Sequence, residues 1–373
     1  MRNKVIAIVA SEPVGWPESP MYGLFQNVQA KLLAQEGFRV IIISPCGRSL
    51  KYGLNFRKDQ LENYQDIKLL RNSTPNLLRF NKKLESLNYV FVGLCLMILN
   101  RKILRDVDIY HFHNIYNGGV LLTVARRMGL LNHAEIFLTE HSSFVHNDGG
   151  SDIVKRFVLN TKSLSVSGVS HSIKAVLEKY INPVFLLHNP VDILFDECPV
   201  FKDRLDQICI VGALEEIKNH KLLLNSLKLI EEPLKVVVIG EGSLREELIR
   251  IAVTLPKNID TIFLGYQDPV TIRDVMRVSK SVISVSRSET FGVVLIESLS
   301  QGTPIISTIN GGSMDIITNE VGFLCDFDEA CIAEAILKTL RQGTFDYVKI
   351  RNYYEKKFGQ RAYLMNVIRY YGV

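Results

Sequence analysis

Two glutamates, a lysine, a histidine and several glycines stand where apolar runs end, and together their types fit one kind of ligand. In SETFGVVLIESLSQGTP (Ser288 to Pro304), Glu289 comes just before a helical stretch and Glu297 lies inside it. Acid near a helix start can serve only to compensate the helix dipole. The order strand, Glu, Phe291-Gly292, helix, Glu, Gly-x-Pro, strand is more specific than capping requires. Gly292 lets the backbone approach a ligand closely, and free amides at Gly292 and Val293 suit a phosphate. A carboxylate cannot bind that phosphate, so the glutamates need other partners. Sugar hydroxyls are the natural ones, because a carboxylate accepts hydrogen bonds from two neighbours at once. The spacing fits a ligand with a sugar at one end, a diphosphate in the middle and ribose at the other.

Other loops at strand ends add to this. Lys218, in GALEEIKNHKLLLNSL, precedes an amphipathic helix, where an ammonium can pair with phosphate or simply face solvent. Gly240 and Gly242 in GEGSLREEL leave room for close backbone approach, although a lone Gly-x-Gly is weak evidence for a nucleotide. Asn310-Gly311-Gly312-Ser313 is a further glycine loop, and Gly23, before Leu24-Phe25, is placed to admit an acceptor or phosphate. His141 in FLTEHSSF ends a strand and is the histidine expected to contact substrate. His111 and His113 in DIYHFHN share one strand face, but with no clustered partners their expected role is packing and hydrogen bonding rather than metal binding. Asp106 and Asp108 merely open that strand.

These loops need a scaffold, and the apolar runs supply it. VIAIVA, VIIIS, DIYHFH, AEIFLTE, SLSVSG and VFLLHN are followed by ICIVGA, KVVVIGEG, TIFLG, SVISVS, PIISTI and VGFLCD. Their hydrophobicity is continuous rather than alternating, which marks strands covered on both faces, as in parallel sheets. Longer amphipathic stretches separate them, so the fold class is α/β, with two doubly wound Rossmann-like domains facing across a cleft. The expected domains are 1–190 and 206–353, joined by a Pro- and Asp-rich linker from Pro190 to Asp206. The chain's 373 residues suffice for two cores, and 47% hydrophobic with 22% charged residues is an ordinary globular balance. The six cysteines show no metal-ligand spacing and suit a reducing compartment. MRNKVIAIVA reads as a first buried strand rather than a signal segment, and no run reaches the about 20 apolar residues of a membrane span. The expectation is a cytoplasmic protein.

The net charge of +5 is unevenly placed: Lys68–Arg105 holds eight basic residues and one acid. Around the apolar run Val90–Leu99 this segment is either a buried helix with solvated ends or a basic, partly apolar surface that rests on anionic lipid at the inner face of the plasma membrane. Nucleic acid is not expected, because no binding motif or interleaved aromatics accompany the charge.

Glu289 to Glu297 resembles the E-x7-E motif of the retaining, nucleotide-sugar-dependent glycosyltransferases of family 4, which have the GT-B fold. The likeness covers nearly the whole chain: the Gly23-Leu24-Phe25 loop, VSHSIKAVLEKY followed by HNPVD, Lys218-Asn219, Gly240-x-Gly242 and the YEKKFG entry to a last helix that, by resemblance, crosses back to the first domain over about 354–373. The resemblance implies that Glu297 holds the donor ribose and that Glu289 contacts the donor sugar or positions the leaving group. Lys218 with the amides of Gly292 and Val293 would neutralise the diphosphate, and His141 would reach the sugar near its anomeric carbon. It also implies retention of configuration, a nucleoside-diphosphate sugar as co-substrate, and no cofactor or obligatory metal. One departure stands out: many members have Gly-Arg where this chain has Gly212-Ala213. Losing a charged donor to a developing anion costs on the order of 3 kcal/mol unless another group, such as Arg287 or Arg273, replaces it. The expected activity is transfer of a sugar to a lipid-linked or glycan acceptor in surface polysaccharide synthesis. The alternatives are a nucleotide-sugar epimerase of similar shape and a non-catalytic transferase-like scaffold.

Overall fold

The computed structural model describes residues 4–11, 24–45, 62–64, 67–71, 85–131, 133–146, 150–192, 195, 203–341 and 344–373. They form two compact units, 1–190 with 364–373 and 191–363.

In the first unit eight strands pair in the order β3-β4-β2-β1-β5-β6-β7-β8. They are β1 (Val5–Val9), β2 (Arg39–Ile43), β3 (Glu62–Tyr64), β4 (Ile67–Leu70), β5 (Ile109–His113), β6 (Glu135–Glu140), β7 (Leu164–Gly168) and β8 (Val184–Leu186). All six Val/Ile-rich runs expected in this half form strands. The hairpin β3–β4 was not anticipated, and it is the one antiparallel pairing among the described strands. Its second strand, IKLL, is only four residues long and exposes Lys68, too little for a periodic signal. The helix Glu85–Leu99 carries the apolar run flagged in the sequence. It buries Val92, Leu96 and Met97 but leaves Leu87, Ile98 and Leu99 near its ends and Phe91 at its middle exposed, so beyond the solvated ends of the simpler reading it also exposes an apolar side chain mid-helix. No described helix is long and apolar enough to cross a membrane.

In the second unit six strands pair in the order β11-β10-β9-β12-β13-β14, all parallel. These are β9 (Leu205–Val211), β10 (Leu234–Ile239), β11 (Ile259–Gly265), β12 (Ser279–Ser284), β13 (Ile305–Thr308) and β14 (Gly322–Cys325). Parallel neighbours need crossover helices, and the apolar faces of those helices close a core that includes Ile208, Val236, Ile283, Ile306 and Ile332. The order reverses beside β9, between β10 and β12, which is where open α/β sheets bind ligands at their strand ends.

Arg204, just ahead of β9, is buried, and no carboxylate is bonded to its guanidinium among the described residues. Its guanidinium donates to the carbonyls of Ser279 (2.9 Å) and Gln301 (2.8 Å) and to Thr303 Oγ1 (2.6 Å), and lies 4.2 Å from the Tyr347 ring centre. It thereby ties off the ends of the helices Pro269–Val278 and Val293–Ser300, the second of which carries Glu297. Burial holds its pKa down at about 10.

The return of the chain to the first unit starts later than the sequence reading placed it. Residues 354–363 belong to the second unit and only 364–373 to the first. Tyr354 is fully buried and Phe358 meets Phe291 edge-on at 6.3 Å, which keeps the helix Tyr347–Lys357 against Val293–Ser300. Beyond Leu364, Tyr370 Oη donates to the carbonyls of Ser165 (2.8 Å) and Leu138 (3.1 Å) in the first unit.

Candidate active site

At the strand ends of the second unit, two loops are zipped together backbone to backbone. The amide of Gly212 donates to Ile239 O, that of Leu214 to Glu241 O and that of Leu244 to Leu214 O. The Glu215 carboxylate accepts from Ser243 N (2.9 Å) and Ser243 Oγ (2.7 Å). This closeness explains two of the expected glycines. A Cβ at Gly240 would lie 1.9 Å from Gly212 O, and one at Gly242 would lie 2.5 Å from Leu214 O. The missing side chains make room for the neighbouring loop. Gly212 in turn leaves its outer side to the stem of Lys218, which passes 3.9 Å from a Cβ built there.

Lys218 ends a short turn, Glu216–Lys218, and the left-handed residue Asn219 (φ 54°) then starts the helix His220–Ser226. Its ammonium pairs with Glu289 Oε1, which also accepts from Ser286 Oγ at 2.9 Å. The loop bearing Glu289 is fastened from behind. Thr308 Oγ1 donates to Ser286 O (2.8 Å), and Gly312 N donates to Glu289 O (2.9 Å). A Cβ at Gly312 would meet Phe291 O at 2.6 Å, so the Asn310–Ser313 loop also owes its glycine to packing. Phe291 is buried, and its ring anchors the loop rather than facing a ligand. Gly292 adopts φ 85° and begins the helix Val293–Ser300 without a side-chain cap, leaving the first amides open to an anion.

Glu297 sits in that helix, half-buried, and its carboxyl has no hydrogen-bond partner among the described residues. Burial, and secondarily the nearby Asp192, raise its pKa to about 8. Ala213 is exposed, so packing does not forbid a longer side chain there. Of the two arginines considered as substitutes, Arg273 is engaged with Asp274 at 2.7 Å. Arg287 belongs to the Lys218 neighbourhood: its amide donates to Ile217 O, and its guanidinium lies 3.5 Å from Asn219 Oδ1.

In the first unit, His141 follows β6 directly. Its ring nitrogens are both engaged, Nδ1 with Asn189 Oδ1 (2.7 Å) and Nε2 with His113 Nδ1 (2.8 Å). Burial lowers its pKa to about 4, so the ring is neutral near pH 7. The neighbouring Glu140 is fully buried, and its carboxylate organises the corner by accepting from Ile115 N (2.7 Å) and Ser142 N (2.6 Å). Burial pushes it up to about 7, against the pull of those amides. Ile115 lies in a six-residue π-helical turn, Asn114–Gly119, where a Cβ on Gly118 would come within 2.3 Å of His113 O. His111 has the structural role expected of it, bonded to Tyr371 Oη (2.7 Å), Gln29 Nε2 (2.8 Å) and Thr139 Oγ1 (2.7 Å). Gly23 lies outside the described residues, as do Arg79, Lys82 and Lys83.

Residues 197–361 match the family described as Glycosyl transferases group 1, so this stretch of the chain is similar to that family. One component of the human phosphatidylinositol N-acetylglucosaminyltransferase is 25% identical over 348 residues, 88% of this chain and 66% of that protein. A Campylobacter jejuni N-acetylgalactosamine-N,N'-diacetylbacillosaminyl-diphospho-undecaprenol 4-alpha-N-acetylgalactosaminyltransferase is 29% identical over 163 residues, 43% of this chain and 42% of that protein. The matched stretches thus span less than two thirds of either relative. Sucrose-phosphate synthase from Thermosynechococcus elongatus superposes with a TM-score of 0.73 at 16% identity, covering 99% of this chain and 98% of the other. That likeness establishes the GT-B fold of two Rossmann-like units.

Sequence reasoning did not find Ser286, Asn189 or Glu140. Serine and asparagine carry little signal singly, and a buried carboxylate in EIFLTEH looks like an ordinary strand end. The raised Glu297 pKa has a measurable consequence. A carboxyl whose folded pKa is raised contributes stability fully below its ordinary 4.5, and that stability is lost as pH rises through about 8. Glu297→Gln should therefore match the wild type in thermal midpoint at acid pH and exceed it by several degrees near about pH 9, as calorimetry would show. Equal midpoints at both pH values would mean that Glu297 is not held neutral.

Proposed function

We propose that the protein is a retaining glycosyltransferase that moves a sugar from a nucleoside-diphosphate sugar to a lipid-linked or glycan acceptor in surface polysaccharide synthesis. The observation that carries this reading is the arrangement around Glu289. One carboxylate oxygen is held by Lys218 and Ser286, the uncapped helix start at Gly292 follows directly, and the Glu297 carboxyl stands within the same helix. In this reading the diphosphate takes over the Lys218 ammonium and the open amides. Glu289, released from the lysine, turns to the sugar hydroxyls, and Glu297 accepts from the ribose. Lys218 and the amides, rather than a metal ion, offset charge on the departing diphosphate, and Arg287 stands in for the arginine absent at Ala213. The names of the human and Campylobacter relatives, which specify phosphatidylinositol and diphospho-undecaprenol, support a lipid-linked acceptor.

The exposed side chains Leu87, Phe91 and Ile98 recur at helical spacing on Glu85–Leu99, and the exposed Arg101, Lys102 and Arg105 follow them. An apolar stripe ending in cations suits an anionic bilayer surface, and we assign this face to the membrane that holds the acceptor.

Two measurements test these assignments. Incubation with nucleotide sugars and a polyprenyl-diphosphate-linked acceptor should give a glycosylated lipid whose new linkage keeps the donor's anomeric configuration by NMR. An inverted linkage would refute retention, and an altered sugar formed from donor alone would replace transfer with epimerisation. Changing Arg101, Lys102 and Arg105 to Gln should reduce flotation with phosphatidylglycerol vesicles by at least about tenfold, with nucleotide binding unchanged; undiminished flotation would rule out this docking face.

A further inference from the structure

His113 has a peculiarity that packing does not explain. It is 2% exposed, its Nδ1 meets His141 Nε2 at 2.8 Å, and its Nε2 is buried without a hydrogen-bond partner among the described residues. An unpartnered buried polar atom is costly, and an apolar ring at this position would remove that cost. The neighbourhood has the means to satisfy histidines: His111, stacked on His113 at 4.4 Å, has partners on both nitrogens. What His113 alone supplies is a hydrogen bond to His141.

The two nitrogens differ in a way that gives that bond a direction. Nδ1 has a hydrogen-bond partner and Nε2 has none among the described residues, and a buried N–H left unpaired is costly, so the proton of the neutral His113 ring belongs on Nδ1. Nδ1–H then donates to His141 Nε2. The His141 proton is left on Nδ1, where Asn189 Oδ1 accepts it at 2.7 Å. Asn189 alone cannot impose this, because an amide can turn either its oxygen or its nitrogen to the ring. The burial of His113 Nε2 away from any partner among the described residues therefore sets the tautomer of a ring one hydrogen bond away.

We infer that His113 is a positioning residue for His141: its Nδ1–H fixes His141 as the Nδ1–H tautomer and clamps the ring between two partners, so that it meets substrate in one orientation. The effect on turnover rests on the glycosyltransferase reading above; the effect on the ring does not.

The test compares His113→Phe, which fills the site without a donor, with His113→Asn, whose amide nitrogen falls near the Nδ1 position. Histidine 15N NMR, assigned with His141→Ala, reads the tautomer directly, and steady-state kinetics reads its consequence. Wild type should show His141 as a single Nδ1–H tautomer, whereas His113→Asn, whose amide can turn either atom to the ring, should hold the ring without fixing its tautomer. His113→Phe should show mixed tautomers, an equal or higher thermal midpoint, and a kcat at saturating donor reduced at least about tenfold, with His113→Asn recovering only part of it. A single unchanged tautomer in His113→Phe, or a kcat equal to wild type, would overturn the inference. If the wild type transfers no sugar at all, the glycosyltransferase reading fails, and the tautomer comparison alone then decides this one.

Discussion

The contact on which the second unit's chemistry depends is the ion pair between Lys218 and Glu289, held half-buried at the ends of β9 and β12. Half-burial matters here. In full solvent such a pair contributes little, and fully buried it would cost heavy desolvation and resist exchange. Between these limits an ammonium can leave a carboxylate for a diphosphate when the new partner brings more charge. Ser286 bonds the same Glu289 oxygen as the lysine, and the bonds from Thr308 and Gly312 hold the Glu289 loop itself. Much of the surrounding construction serves this pair. Gly240 and Gly242 let two loops touch at backbone distance.

The first unit solves a different problem, which is keeping buried histidines neutral. His111, His113 and His141 all have depressed pKa values, in each case mainly through burial. Glu140, beside them, is pushed the other way by the same cause. A cluster of neutral rings offers directed hydrogen bonds without net charge. That suits orientation of a sugar better than acid–base work, since a ring with a pKa of about 4 holds no proton to give at neutral pH. The C-terminal Tyr371 closes the cluster through His111, so the last residues of the chain help build this corner.

The sheets were readable because parallel strands covered on both faces leave an unmistakable trace of consecutive Val and Ile, and all twelve such runs form strands. β3 and β4 escaped notice because strands of three and four residues have no period to detect. Glu289, Glu297 and Lys218 could be found because carboxylates and an ammonium at strand ends are chemically conspicuous. Their arrangement was not legible: nothing in the spacing shows that Lys218 rests on Glu289, that Phe291 is an anchor inside the core, or that Gly240 and Gly242 face another loop. The late return of the chain at Leu364 was missed for a similar reason. Tyr354 and Phe358 bind the preceding helix to its own unit through packing that only three dimensions reveal.

The most direct test of the account is calorimetric titration with UDP, GDP and ADP, and with the matching nucleosides, on wild type and Lys218→Met. One diphosphate should bind, and Lys218→Met should weaken it by at least about tenfold, the scale of a lost charge-assisted hydrogen bond, while the nucleoside binds both proteins alike. Equal diphosphate affinity in the two proteins, or no binding of any of the three, would contradict the claim that Lys218 leaves Glu289 for a donor diphosphate.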